Sequence, residues 1–557
     1  MTTKHGRRPG RAWIAMLLVS LLALLVFPAP AQAASYVPID GQGSTWDENA
    51  IDQWTADVAK YGMTVQFTGN GSSAGRTAFR GGLVDYAASD IPYGETDDGQ
   101  TDPPPAQGSY AYIPIVAGGT AFMYHLTVGG KQVTNLRLSG QTLAKIFTGN
   151  LTMWNSAEIQ AENPGIALPA RQITPVVRTD GSGSSAQLTK WMSEEFPSMW
   201  NAYCKAAGRP VDNPCGATSF YPTEPGSDFI SQSLDSGVAG YVAEPTSDGA
   251  ITYTEYSYAL QANYPVVQML NADGYYTLPT ASDDAVSLTQ ARINEDASNP
   301  ATYLTQDLDA VYSDKDPRTY VLSSYSYLVI PLAATNTFSA TKGATLSAFA
   351  DFALCQGQQA MGQLGYSPLP INLVEAGFSQ IKKVPGAVAQ NINVSSCNNP
   401  TFSTSGVNLV VANAPQPPAC AKSGPVQCAA DGKTSIPGGS GGGSAATTGG
   451  SGGTTGGGAG TTGAGATASS GAGAGSAAGG NGDSSVVGSL GGGRQNGGGG
   501  SADGSSALNP DIVPTAVTLA ADSESPVGNP LMIVAAGILF AAVFGPAVFW
   551  RIRRRHR

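Results

Sequence analysis

Short apolar runs alternate with amphipathic stretches through the body of the chain. In WDENAIDQWTADVAKYG, the apolar residues Ile51, Trp54 and Val58 fall on one face of a helix. The segments MTVQFTG and VDYAASDIP predict strands, with a turn and a short helix between them, and AYIPIVAGGTAFMYHL predicts two extended segments. This alternation of strands and helices predicts an α/β fold that is long enough for two lobes.

The two ends of the chain carry apolar runs of a different kind. Residues 1–33 combine a basic start, an apolar run and an Ala-Gln-Ala sequence, which predicts a cleaved secretory signal peptide. Residues 531–550 carry no charge and, at about 1.5 Å per residue, span about 30 Å, the thickness of a bilayer core. The basic residues 551–557 are expected to stay in the cytoplasm. The sequence therefore predicts a single-pass cell-membrane protein whose body is extracellular.

A tether joins the body to this predicted anchor. Residues 438–506 are almost entirely Gly, Ser, Ala and Thr, a composition that cannot bury a core and predicts a disordered linker with a random-coil span of about 45–50 Å. The full division is a signal peptide 1–33, a two-lobed body 34–414, a cysteine-containing extension 415–437, the linker 438–506, a juxtamembrane segment 507–530, a transmembrane helix 531–550 and a basic tail 551–557.

The cysteines indicate an oxidising compartment. All six lie between the signal and the anchor, and an even number in an exported chain predicts disulfides. Sequence alone leaves the connectivity open, and we favour pairing of neighbours along the chain. The candidates are Cys204, Cys215, Cys355, Cys397, Cys420 and Cys428.

Charge and histidine content exclude several classes of function. The formal net charge of -11 argues against nucleic acid as a partner. His125 is the single histidine between the two ends, which argues against a metal site and against Ser-His or Cys-His catalysis. We therefore expect neither a cofactor nor a metal, and not an enzyme.

Three loops share one design, in which glycine and a hydroxyl residue precede a helical pattern. They are GST at 43–45, GSS at 71–73 and GSGS at 181–184. A helix start exposes unpaired N–H groups and partial positive charge, glycine allows close approach and the hydroxyl adds a donor, which together suit a tetrahedral oxyanion. Ser and Thr are also the preferred helix N-caps, so ordinary capping stays an alternative for each loop.

Long ordered segments resemble the phosphate-binding protein of Pst-type ABC transporters. The matching segments are GQGSTWDENAIDQW, FTGNGSSAGRTAFRGGLVDYAASDIP, LSGQTLAKIFTGNLTMWNSAEIQAENPGIALPARQITPVVRTDGSGSSAQLTKW, SGVAGYVAEP and TLSAFADFALCQGQQAMGQLGYSPLP. The resemblance is weak between residues 253 and 320 and does not reach the tether or the anchor. It implies a type II periplasmic-binding-protein fold, in which two α/β lobes joined by two crossing strands close over inorganic phosphate.

The resemblance also implies the binding residues and the partners. The partners would be inorganic phosphate and the membrane subunits of an ABC permease. Trp46 replaces the usual phenylalanine, of which only the N–H is used, and Ser184 replaces the usual threonine while keeping the hydroxyl. The implied phosphate-binding residues are Thr45, Trp46, Ser72, Asp90, Arg178, Asp180, Ser182, Gly183 and Ser184.

Two of these residues carry most of the chemistry. Arg178 can donate a bidentate pair of hydrogen bonds to phosphate, with an ordinary ion pair to Asp180 as the alternative. Asp90 makes sense beside an anion if that anion still carries a proton, as hydrogen phosphate does, because the carboxylate then accepts a hydrogen bond from it. Sulfate, fully ionised, would leave two buried acceptors facing each other, so Asp90 predicts rejection of sulfate; a turn or helix cap is its alternative.

Two other functions remain open on the sequence. The long tether and the permanent membrane helix also suit a surface phosphate sensor or adhesive module without a transport role. A phosphate-ester hydrolase has less support, because no cluster of histidines or carboxylates with metal-ligand spacing occurs.

Overall fold

The computed structural model describes residues 36–94, 102–209, 215–299, 302–387 and 397–437. The predicted signal peptide 1–33, linker 438–506, juxtamembrane segment 507–530, transmembrane helix 531–550 and tail 551–557 lie outside these residues. Within the described ranges, no helix combines the length and the apolar character needed to cross a membrane.

Helices and strands alternate along the described chain, as the apolar pattern predicts. The helices are α1 (Glu48–Ala59), α2 (Ser72–Arg80), α3 (Gly140–Phe147), α4 (Ala157–Glu162), α5 (Gly183–Glu195), α6 (Pro197–Ala206), α7 (Leu234–Ala243), α8 (Tyr256–Ala262), α9 (Ala281–Ser287), α10 (Asp309–Tyr312), α11 (Ala340–Leu354), α12 (Met361–Leu364), α13 (Ile371–Ile381) and α14 (Leu409–Asn413). The strands are β1 (Ile39–Gly43), β2 (Val65–Gly69), β3 (Tyr86–Ser89), β4 (Tyr110–Tyr124), β5 (Thr127–Val128), β6 (Lys131–Gln132), β7 (Arg137–Leu138), β8 (Thr174–Arg178), β9 (Ile230–Gln232), β10 (Ala250–Glu255), β11 (Gln268–Leu270), β12 (Tyr276–Thr277), β13 (Arg292–Ile293), β14 (Gln306–Asp307), β15 (Ser323–Pro331), β16 (Val426–Cys428) and β17 (Ser435–Pro437).

One eight-stranded sheet, in the order β2-β1-β3-β15-β4-β10-β8-β9, runs through both halves of the body. We call β2, β1, β3, β15 and residues 110–119 of β4, with their helices, the first lobe. Residues 120–124 of β4 with β10, β8 and β9 belong to the second lobe. The chain crosses between the lobes in β4 and again just before β15, where Thr120 N–H donates to the Leu322 carbonyl at 3.0 Å. These two crossings are the pair of connecting strands that the resemblance implies.

The prediction of two extended segments at residues 111–126 is wrong, because β4 is one continuous, fully buried strand of 15 residues. The Gly118-Gly119 pair is not a break but a place of close approach. A Cβ on Gly119 would lie 2.5 Å from Pro279 Cβ, and one on Gly118 would lie 3.0 Å from the Trp46 ring. Glycine therefore serves packing here, at the point where β4 passes from one lobe to the other.

In the first lobe, amphipathic helices pack on one part of the sheet. The predicted face of α1, with Ile51, Trp54 and Val58, is buried against the sheet. Strands β2, β1 and β3 are parallel neighbours, so their carboxyl ends lie along the same edge. That edge carries the first and second of the glycine-hydroxyl loops.

The second lobe repeats the arrangement. Strand β8 lies between β10 and β9 and is parallel to both. Helix α5, which follows β8, buries Leu188, Trp191 and Met192. The third glycine-hydroxyl loop therefore leaves the carboxyl end of β8.

The extension that carries the last two cysteines packs against a small sheet of β7, β11 and β12. Buried Arg137 on β7 donates to the carbonyls of Glu162 at 3.1 Å, Cys420 at 3.2 Å and Val426 at 3.1 Å. Its guanidinium also lies 4.5 Å from the centre of the Tyr276 ring. One arginine thus joins the extension to the second lobe.

The cysteines pair with their neighbours along the chain, as expected. The disulfides are Cys204–Cys215, Cys355–Cys397 and Cys420–Cys428. The two cysteines of each pair are 11, 42 and 8 residues apart along the chain, respectively.

Candidate functional site

The residues implied by the resemblance meet where the two lobes face each other. Thr45 and Trp46 follow β1, Ser72 begins α2 after β2, and Asp90 follows β3. Their side chains meet because the parallel strands of the first lobe end side by side. All four residues are almost completely buried.

The second lobe contributes the facing half of the site. Arg178 ends β8, and the loop after it leads into α5, whose N-cap is Ser182. Gly183 and Ser184 form the first turn of α5, so the positive end of this helix points into the site.

Direct hydrogen bonds hold the lobes closed at this point. Gly183 N–H donates to Ser72 Oγ at 3.2 Å, and Arg178 Nη2 donates to Thr45 Oγ1 at 3.1 Å. Ser73 N–H donates to the Gly181 carbonyl at 3.0 Å. The structure is therefore a closed form, in which donors from both lobes converge.

Asp90 lies at the centre of the first-lobe half. Its Oδ2 accepts from Ser44 Oγ at 2.7 Å and Ser72 Oγ at 3.2 Å, and its Oδ1 accepts from Ser326 Oγ at 2.8 Å. Burial raises the pKa of this carboxyl to about 6, against the lowering effect of the hydrogen bonds from Ser44 and Ser326. Asp90 is thus an acceptor whose ionisation is finely balanced near neutral pH.

Arg178 is held in one orientation by two carboxylates. Its Nε and Nη2 donate to the two carboxylate oxygens of Asp180 at 2.8 and 2.5 Å, and its Nη1 pairs with Asp235. Burial acts to lower the pKa of Arg178, but Asp235 and Asp180 outweigh it and raise that pKa above its usual value. Burial likewise acts to raise the pKa of Asp180, which the hydrogen bond and charge of Arg178 nevertheless hold below its usual range. The Arg178–Asp180 ion pair, given above as the alternative role for Arg178, is thus present in the structure.

Three predicted donors have partners within the protein. Trp46 N–H donates to Ser44 Oγ at 3.0 Å, and its indole packs edge-on against Tyr366. Ser182 Oγ accepts from the Ser185 N–H at 3.2 Å, which is ordinary helix capping. Gly183 N–H, as described above, donates to Ser72. A ligand that accepted from the N–H groups of Trp46 and Gly183 would replace their hydrogen bonds to Ser44 and Ser72.

Ser184 differs from its neighbours. Its side chain is almost fully buried, and its hydroxyl has no hydrogen-bond partner within the described part of the protein. A buried hydroxyl without a partner costs free energy, on the order of 1–3 kcal/mol, so such groups are uncommon without a reason. Ser184 therefore indicates that something else completes this site.

A second buried carboxyl, Asp47, lies behind Asp90. Ser326 Oγ contacts both carboxyls, at 2.6 Å from Asp47 Oδ2 and 2.8 Å from Asp90 Oδ1. Burial, and then the charge of Asp90, raise the pKa of Asp47 well above its usual value. Asp47 and Asp90 thus form a buried carboxyl pair that shares the Ser326 hydroxyl. In the described ranges, no three His, Cys, Asp or Glu side chains are grouped so as to hold a metal ion.

A family model described as a PBP superfamily domain matches residues 28–356. The chain belongs to the PBP superfamily. Its predicted α/β, two-lobed, type II periplasmic-binding-protein fold is thereby confirmed for the body.

Relatives of this superfamily member include named phosphate-binding proteins. It is 29% identical over 341 residues to the phosphate-binding protein PstS 2 of Mycobacterium tuberculosis (strain ATCC 25618 / H37Rv), covering 60% of this chain and 83% of the relative. It is 28% identical over 357 residues to the phosphate-binding protein PstS of Xylella fastidiosa (strain 9a5c), covering 62% and 86%. Among solved structures, the phosphate-binding protein from Stenotrophomonas maltophilia matches with a TM-score of 0.45 and 18% identity, covering 67% of this chain and 99% of that one.

One residue at the centre of the site was missed by the sequence analysis. Asp235 follows β9 and begins α7, and its Oδ2 accepts from Thr45 Oγ1 at 2.5 Å as well as pairing with Arg178. It directly precedes the matching segment SGVAGYVAEP, and an acidic residue in the first turn of a helix is ordinary. The signal that would have found it is its position after the strand beside β8, which requires the order of the strands.

Proposed function

We propose that this protein captures inorganic phosphate between its two lobes, outside the cell membrane, and delivers it to an ABC permease. Membership of the superfamily and the names of its relatives support phosphate as the ligand class. Hydrogen-bond donors from both lobes converge on one buried point, which supports the location of the phosphate site between the lobes.

The proposed binding site uses donors from both lobes and one acceptor. Thr45, Ser72, Arg178 and Ser184 donate through their side chains. Trp46 and Gly183 donate through N–H groups at the starts of helices, where partial positive charge favours an anion. Ser182, whose N–H donates to the Ser219 carbonyl at 2.9 Å, contributes its hydroxyl. Asp180 orients Arg178. Asp90 accepts a hydrogen bond from the proton that the bound phosphate retains.

The observation that carries the proposal is the buried Ser184 hydroxyl without a partner in the described structure. It lies in the first turn of α5, between the helix cap and the rest of a well-bonded helix. A phosphate oxygen accepting this hydrogen bond would remove the cost of burying an unpaired hydroxyl. Asp90, in the first-lobe half of the site, would at the same time accept a hydrogen bond from the protonated oxygen of the phosphate.

Attachment to the membrane is the other half of the proposal. The linker 438–506 and the predicted helix 531–550 would keep the body near the membrane while leaving it free to reach a permease. The basic residues 551–557 favour a cytoplasmic C-terminus.

Adjacent serines of α5 provide the test. Ser184→Ala removes a hydroxyl that bonds nothing described, so we expect phosphate affinity to fall by about 10- to 100-fold with little loss of thermal stability. The control Ser185→Ala removes a hydroxyl that contacts Tyr253 at 2.6 Å, so stability should fall more than affinity. Isothermal titration and thermal unfolding of both variants measure this. An affinity that is unchanged in Ser184→Ala would remove the main support for the proposed site.

A further inference from the structure

Asp235 is a second carboxylate that faces the proposed ligand donors. Asp235 is fully buried. Oδ1 is held within the second lobe, where it accepts from Thr254 Oγ1 at 2.8 Å and the Glu255 N–H at 3.1 Å. Oδ2 instead faces Thr45 and Arg178, one donor from each lobe. One oxygen therefore fixes the side chain and the other meets the site.

The backbone before Asp235 is held in a conformation that non-glycine residues rarely adopt. Leu234 has a φ of 66°, in the left-handed region. Its N–H donates to Asp180 Oδ1 at 2.8 Å, so the carboxylate that orients Arg178 also fixes the entry to α7. Surrounding contacts must over-determine such a conformation for it to persist, and here they place Asp235 against Arg178.

The charges around Asp235 do not favour a doubly charged ligand. Arg178 is already shared by Asp180 and Asp235, and Asp90 lies across the closed contact. Burial raises the pKa of the neighbouring Glu255 well above its usual value. The titratable and charged groups that interact with Asp235 from the elements around it are Glu48, Asp90, Arg178, Glu255 and Tyr258, and Asp180 shares Arg178 with it.

We propose that Asp235 makes the site selective for the singly charged, dihydrogen form of phosphate. Asp90 accepts a hydrogen bond from one OH group of this form. Asp235 Oδ2 is placed to accept one from the other OH group, in place of the Thr45 hydroxyl, which would donate to the same phosphate together with Arg178. The doubly charged form has one proton for two carboxylates and adds a negative charge beside them. This inference rests on the proposed binding of phosphate in the cleft.

Counting protons during binding gives the direct test. The intact protein is titrated with inorganic phosphate at about pH 8, in two buffers with different ionisation enthalpies, and the difference in heat gives the protons taken up. Free phosphate is then mostly doubly charged, so we expect uptake close to one proton per phosphate. Wild-type affinity should also fall by about tenfold per pH unit on the alkaline side.

Asp235→Asn assigns the effect to this carboxylate. The variant keeps the shape of the side chain and removes its charge, so we expect lower proton uptake and at least about tenfold tighter binding than wild type at pH about 8.5. Asp273→Asn, at an exposed turn, makes the same change in net charge and should behave like wild type. Thermal unfolding of each variant checks that it is folded, and the wild-type proton count stands independently of any variant.

The outcomes separate the two proposals. No heat with phosphate at any pH would contradict phosphate binding itself. Binding without proton uptake, at an affinity independent of pH, would overturn selectivity for the singly charged form and leave phosphate binding intact. Equal proton uptake in wild type and Asp235→Asn would show that another group is responsible and would overturn the role of Asp235.

Discussion

Gly183 shows how little room the closed site leaves between the lobes. A Cβ at this position would lie 2.7 Å from Asp90 Cβ, closer than real Cβ contacts. The α5 backbone therefore reaches the carboxylate of the other lobe only because residue 183 has no side chain. Glycine in an oxyanion loop is usually explained by backbone freedom, and here the reason is close approach.

Gly183→Ala should consequently hinder closure. We expect phosphate affinity to fall by about 10- to 100-fold, since forced overpacking costs about 1–3 kcal/mol. Gly240→Ala is the matched control, because a Cβ there meets nothing within 4 Å. Calorimetry compares the two variants, and equal affinities would mean that the closed contact is not part of the binding form.

Asp90 gives the ligand-free protein a defined pH dependence. Its pKa is raised from 3.8 to about 6 in the folded state, so the folded protein holds this proton more tightly than the unfolded chain. The associated stability is fully present below about pH 4 and is lost as the pH rises through about 6, a loss on the order of 3 kcal/mol. Asp90→Asn cannot titrate.

The difference in unfolding free energy between wild type and Asp90→Asn should therefore decrease as the pH rises from about 4 to about 6 and stay constant above that. Denaturant unfolding of both proteins without phosphate across this range measures it. Parallel stability curves would contradict the raised pKa.

At the scale of elements, the order of the strands in the sheet determines which site residues come together, and this order is not readable from the sequence pattern. The family resemblance placed Thr45, Ser72 and Asp90 in one site, and the parallel β2-β1-β3 arrangement explains why the ends of these strands lie together. Asp235 is 57 residues from Arg178 along the chain. Nothing in periodicity or spacing shows that β9 lies beside β8, so no pattern could bring the two together.

At the glycine pair in β4, a break was predicted that does not exist. Gly-Gly within an apolar run ordinarily indicates a turn, and the sequence analysis divided the strand there. Tertiary packing against Trp46 and Pro279 demands small residues at 118 and 119, so the local signal was overridden. The disulfides, in contrast, follow the neighbour pairing that we favoured among connectivities that the sequence alone leaves open.

Arg137 donates to two carbonyls of the extension 415–437, beside the hydrogen bonds that Asn135 and Gln427 make between the extension and the second lobe. Arg137→Ala removes hydrogen bonds to three carbonyls and should lower the free energy of unfolding by about 3 kcal/mol. Arg171→Ala, at a side chain that is 42% exposed and pairs with Asp248, should cost less than about 1 kcal/mol. Denaturant unfolding compares them, and amide exchange at residues 420–428 should rise in Arg137→Ala alone. Equal losses would contradict this role.

For the whole molecule, the net charge of -11 opposes the capture of any anion. Binding must then come from local donors: the positive start of α5, the hydroxyls of both lobes and Arg178. The surrounding carboxylates turn this opposition into selectivity, because an anion that brings protons satisfies them and one without protons does not.

Titration of the purified protein with phosphate and with sulfate tests the central claim most directly. The account predicts clear binding of phosphate at neutral pH and binding of sulfate weaker by at least about 1000-fold, because sulfate leaves Asp90 facing an unprotonated oxygen. No heat with phosphate, or similar affinities for the two anions, would contradict it.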